Sequence, residues 1–153
     1  MGVLIRDEIS GAEISYNPMI KNWILSVGGR IIALDDKESD ARLSMLPFTQ
    51  KKVQEILDLI CSYIEKMHIS NGKEIKEKFP WSNFLLVAFR QGSPHWVQNA
   101  LNWMDELRED MITEVIDDHL RGVVRNKKRY DQKIRQHAYK LLKRRKNHDR
   151  QST

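Results

Sequence analysis

A single cysteine, Cys61, stands in a chain of 153 residues. One thiol can form neither an internal disulfide nor a Cys-rich zinc site, and its isolation predicts a reducing compartment, the cytoplasm. Long apolar runs are missing as well. The stretch around Leu85–Phe89 falls far short of the roughly 20 residues of a membrane span, so no membrane association is expected. Arg6, Asp7, Glu8 and Glu13 interrupt the first turns of the chain and leave no apolar core for an export signal. The motifs of common chemistry are also lacking. There is no Gly-rich phosphate loop, no Gly-x-Ser-x-Gly, no His-Glu-x-x-His and no Cys-x-x-Cys. The expectation is a protein that is not an enzyme and holds no cofactor or metal.

What the chain has in quantity is charge, unevenly divided. From Arg121 onward thirteen Lys and Arg face only Asp131 and Asp149, a local balance of +11 within a total of +5, which leaves −6 for residues 1–120. An acidic body with a basic tail points either to a polyanionic partner or to a tail that folds back on the body. Hydrophobic residues make up 41% of the chain, enough for one ordinary core. The predicted organisation is one helical domain over residues 1–146 and a disordered basic end over 147–153.

Apolar spacing sets the expected elements. Asn17-Pro18 reads as a helix start, Met19, Ile20, Trp23, Ile24 and Val27 as its buried face, and Gly28-Gly29 as its end. The neighbourhood of Ser10-Gly11 and the segment Arg30–Leu34 could each be a short strand, and Asp35–Asp40 reads as a loop. A long helix is predicted from an N-cap at Thr49 to about Ser70, with Val53, Ile56, Leu57, Ile60, Ile64 and Met67 as its stripe and Asn71-Gly72 closing it. Cys61 lies beside that stripe and is expected to be a buried structural thiol. Pro80 and Ser93-Pro94 open two further helices separated at Gly92. Others are expected over Asp110–Arg121, with Gly122 a break, and over Tyr130–Lys146. The four tryptophans, Trp23, Trp81, Trp96 and Trp103, read as core; an exposed one would be an anchor for a partner.

Two segments repeat at a distance of 38 residues. Ser93-x-x-Trp96-Val97-x-x-Ala100-x-x-Trp103-Met104 aligns with Asp131-x-x-Ile134-Arg135-x-x-Ala138-x-x-Leu141-Leu142. The second copy resembles the inner helix of HEAT-type repeats, in which a capping Asp precedes an aliphatic-Arg pair, an Ala and an apolar pair. The first copy departs from that pattern at Ser93 and Val97. The predicted fold class is therefore mainly all-α, either a helical bundle or a short HEAT-like stack spanning about residues 80–146, with room for a small β element near the N-terminus.

Two charged segments are the candidate sites. Asp105, Glu106, Glu109, Asp110, Glu114, Asp117 and Asp118 form an acidic stretch followed by His119, with Asp110, Glu114 and Asp118 spaced one helical turn apart. Such a face suits a basic protein partner by charge complementarity, whereas metal or acid–base work would need a second ligand-bearing helix. His119 and His95 are read as structural. Arg125, Lys127, Lys128, Arg129, Lys133, Lys140, Lys143, Arg144, Arg145 and Lys146 provide phosphate-neutralising charge, and Tyr130 and Tyr139 could stack on bases. The leading functional expectation is a non-catalytic protein that binds a protein partner. By analogy with small helical proteins, that class includes bacterial immunity proteins and antitoxins that neutralise a toxin domain. The alternative is a DNA- or RNA-binding protein that uses its basic C-terminal helix. The sequence assigns no oligomeric state.

Overall fold

A computed structural model of the chain describes residues 2–34 and 40–151. An antiparallel four-stranded sheet comes first, in the order β1 (Ile5–Arg6), β2 (Glu13–Asn17), β3 (Asn22–Val27) and β4 (Arg30–Ala33). A 3-10 segment, Asp40–Gln50, leads into α1 (Val53–Lys66), α2 (Gly72–Glu77), α3 (Trp81–Gln91) and α4 (Pro94–Glu106). A short 3-10 turn, Glu109–Met111, then precedes α5 (Val115–Arg125) and α6 (Gln132–Gln151). The protein is mainly helical with a small β element.

The helix expected over residues 18–27 is instead a turn followed by a strand. Asn17 Oδ1 accepts the Met19 N–H at 2.9 Å, so the Asn-Pro pair makes an Asx turn rather than a cap. Lys21 takes a left-handed conformation and reverses the chain. Gly28 and Gly29 are both left-handed, with φ of 55° and 79°, and join Val27 to its partner Arg30. Two successive positive φ values are what a two-residue hairpin turn matching the strand twist requires. Trp23, Ile24 and Leu25 are buried in succession, so both faces of β3 are covered. A fully covered strand loses the alternation that would separate it from a helix in the sequence.

One face of the sheet carries the cross-strand pairs Ile14–Leu25 and Tyr16–Trp23 into the core. There the Trp23 indole meets Tyr63 of α1 and Phe79, and its Nε1–H donates to the Ile75 carbonyl at 3.1 Å. Helix α1 is shorter than expected, because Thr49 belongs to the 3-10 segment and donates its hydroxyl to the Leu46 carbonyl. Val53, Ile56, Ile60 and Tyr63 are its buried residues; Leu57 and Ile64 are partly buried, and Met67 is exposed. Gly72 begins α2 rather than ending α1. Cys61 is exposed, contrary to its expected burial.

Helices α3 and α4 form a hairpin about Gly92, whose φ of 77° is the left-handed C-cap. A side chain there would also press on the Arg129 guanidinium, at 3.1 Å from a Cβ. Helices α5 and α6 form a second hairpin; α4 packs on α6 and α3 on α5. Ser93 and Asp131 precede α4 and α6, Ala100 and Ala138 are both fully buried, and Asp131 Oδ1 accepts the Ile134 N–H. The Tyr130 hydroxyl donates to the Gly92 carbonyl at 2.6 Å and ties the start of α6 to the α3–α4 turn. Gly122 lies within α5 and breaks nothing. Helix α6 continues to Gln151, so residues 147–151, expected to be disordered, are helical.

Candidate functional site

The acidic and basic segments face one another. Asp105 lies 2.9 Å from His137 Nε2, and His137 Nδ1 lies 3.2 Å from the Gln98 amide. A proton on Nε2 satisfies both contacts. Glu106 accepts the Val53 N–H at 2.8 Å and so caps α1, whose N-cap residue Lys52 provides no side-chain acceptor. Glu109 receives Arg144 Nε at 2.5 Å and Arg145 Nη1 at 2.9 Å. Arg145 Nε donates to Asp117, and its Nη2 reaches the carbonyls of Ile112 and Thr113. Arg144 also donates to the Met104 carbonyl. Arg145 is only 5% exposed. Its fork fills a slot whose carboxylates and carbonyls match the fixed donor geometry of a guanidinium.

The remaining acidic residues are spread out. Asp110 pairs with Arg108 and Asp118 with Arg121, all in exposed settings. Asp110, Glu114 and Asp118 do not share one helical face. Asp110 lies in the 3-10 turn, Ile112 is extended, and Glu114 only begins α5. His119 stacks on Phe89, with ring centroids 5.8 Å apart. Burial, reinforced by the Arg90 charge, holds its pKa below the usual histidine value. His95 is exposed and packs edge-on against Trp96.

Of the ten basic candidates, Arg145 is thus buried in the fold and Arg144, itself exposed, is bonded to Glu109 and the Met104 carbonyl. Arg125, Lys127, Lys128 and Arg129, at the α5–α6 connection, and Lys133, Lys140, Lys143 and Lys146 of α6 are exposed. None of those eight forms an ion pair among the described residues. Tyr139 is exposed beside them. Tyr130 is buried, and burial raises its hydroxyl pKa, so it stacks on nothing outside the fold. Trp23, Trp81 and Trp103 are core and Trp96 is partly buried.

A third surface went unseen in the sequence. Met19 and Ile20 at the β2–β3 turn are 90% and 54% exposed, and Val3 and Met67 are also exposed. Pro18 and Lys21, on either side of Met19 and Ile20 in the chain, line a cleft of about 310 Å³ together with Tyr16, Tyr63, Met67, Ile69, Asn71 and Ile75. The N-terminal segment adjoins it, since a Cβ on Gly2 would touch Met67 Sδ and the Tyr63 ring. The helical reading had assigned Met19 and Ile20 to a buried face. The Gly28-Gly29 pair, read as a hairpin turn, places them at the turn on the other end of the same strand.

No family model matches the chain, and comparison with curated proteins and with solved structures finds no match. Among the described residues no helix is long and apolar enough to cross a membrane.

Proposed function

We propose that this is a non-catalytic interaction protein, and that it binds a protein partner through the apolar end of its sheet. The observation that carries this reading is the exposure of Met19 and Ile20 beside a cleft walled by Tyr63, Met67 and Ile69. Exposed apolar side chains on a turn whose neighbours line a largely apolar cleft are costly to leave in water and suit an apolar side chain of a partner. The acidic segment is the weaker candidate, because Asp105, Glu106, Glu109 and Asp117 are bonded within the fold. We read the two stacked hairpins α3–α4 and α5–α6 as a short HEAT-like unit that supports this surface. A cytoplasmic setting is part of the proposal. Its narrower form, an immunity or antitoxin-type protein masking a toxin domain, rests on size and helical architecture. The test is co-purification from the native cell. Met19→Asp with Ile20→Asp should abolish capture of a partner and leave the circular dichroism unchanged; undiminished capture would remove this surface.

One observation favours a second reading. The eight exposed Lys and Arg at the α5–α6 connection and on α6 have no acidic partner among the described residues, and together they suit the phosphates of DNA or RNA.

A further inference from the structure

A second cleft, of about 480 Å³, lies between α2 and the Arg108–Met111 segment. Phe79, Trp81 and Met111 line it with apolar surface. Lys73 and Lys76 of α2 and Arg108 give it three cations, against Glu77 and Asp110. The Phe79 and Trp81 rings are 4.6 Å apart and tilted by 57°. Trp81 is buried on its other side by Trp103. Its indole Nε1 is buried and has no acceptor among the described residues, in contrast to the indoles of Trp23 and Trp103, which donate to the carbonyls of Ile75 and Lys51. A buried donor without a partner is rare in a folded protein and calls for a specific explanation. Among the described residues Arg108 makes one ion pair, an exposed one with Asp110 at 3.4 Å, a contact weak enough to exchange for a bound anion.

We propose that this cleft binds a small planar anion: an aromatic ring carrying a carboxylate or a phosphate. The ring lies against Phe79 and Trp81, Lys73, Lys76 and Arg108 take the negative charge, and a ligand acceptor or a water bridging to it satisfies the indole N–H. The cleft has the size and the mixed lining of a small-molecule site.

Calorimetric titration with two probes, benzoate and adenosine monophosphate, tests this and separates carboxylate from phosphate ligands. At least one should bind saturably at sub-millimolar concentration. Trp81→Phe keeps a ring and removes the N–H, and should weaken that binding about fivefold. Because Trp81 is part of the core, a second variant is made at exposed positions: Lys73→Ala with Lys76→Ala should weaken it about tenfold or more. Lys140→Ala with Lys143→Ala, on α6, should leave it unchanged. No saturable binding of either probe would overturn the proposal and leave the indole to water alone. Binding lost through the α6 variant, or kept in the Lys73/Lys76 variant, would overturn it as well.

Discussion

Arg145 of α6 and Asp117 of α5 form a nearly buried ion pair, and the same guanidinium also holds Glu109 at 2.9 Å. The basic tail and the acidic body of the sequence meet here. Removing the cation would strand Asp117, 15% exposed, and leave Glu109, 11% exposed, with Arg144 alone. Arg145→Met should therefore destabilise the fold by about 3–5 kcal/mol, read as a fall in the urea midpoint at constant slope. Adding Asp117→Asn to that variant should recover part of the loss. A loss below about 1 kcal/mol would show that the pair contributes no more than a surface bridge.

Part of this arrangement was legible in the sequence. The charge division between Arg121 and the C-terminus suggested a tail folding back on the body, and Arg144 and Arg145 do so. The proline and glycine punctuation at Pro80, Gly92 and Pro94 placed α3 and α4 closely, because proline is favoured at a helix start and glycine readily takes the left-handed conformation that ends one. The strands were lost for a physical reason. Met19, Ile20, Trp23, Ile24 and Val27 fit a helical stripe, and β3, covered on both faces, offers no alternation to contradict it. The sorting of the ten basic residues into eight without an ion pair among the described residues and two, Arg144 and Arg145, bonded to the acidic segment was not legible either, since it depends on which side of α6 meets α4 and α5.

Trp103 and Trp96 should differ in mutation. Trp103 is 2% exposed and donates its indole N–H to the Lys51 carbonyl at 2.7 Å, so Trp103→Ala should destabilise by about 3–5 kcal/mol. Trp96 is only partly buried, and Trp96→Ala should cost less than half as much in the same denaturation experiment. Equal losses would place Trp96 fully in the core.

His119 should make stability depend on pH in a defined direction. Its pKa is lowered from 6.5, first by burial and then by the charge of Arg90, so the unfolded chain takes up the proton before the folded one does. The contribution of neutral His119 is present above the unfolded value and is lost as pH falls from there through the folded value. Wild type should therefore lose stability relative to His119→Gln as pH falls below the unfolded value of 6.5. Parallel denaturation curves at each pH check this; a difference that grows in the opposite direction would mean that the imidazole is held as a cation.

The basic surface of α6 has its own signature. If it holds nucleic acid, affinity for a mixed-sequence duplex or RNA should fall on the order of a thousandfold between about 50 and 200 mM salt, for about six to eight phosphate contacts. Replacing Lys133, Lys140, Lys143 and Lys146 by Ala should flatten that slope without lowering the melting midpoint, because none of the four forms an ion pair among the described residues. Filter binding across the salt range decides it, and weak binding throughout would remove the nucleic-acid reading.

Protein docking at the apolar end of the sheet is tested most directly by a photo-crosslinking amino acid placed singly at Met19, Ile20, Leu59 and Lys140 in the native cell. Positions 19 and 20 should give one dominant protein adduct, while position 59 of α1, also exposed, should give none. Position 140 should give neither that adduct nor nucleic acid. Nucleic-acid adducts from position 140 with no protein adduct from 19 or 20 would contradict the proposed function and establish the basic surface in its place.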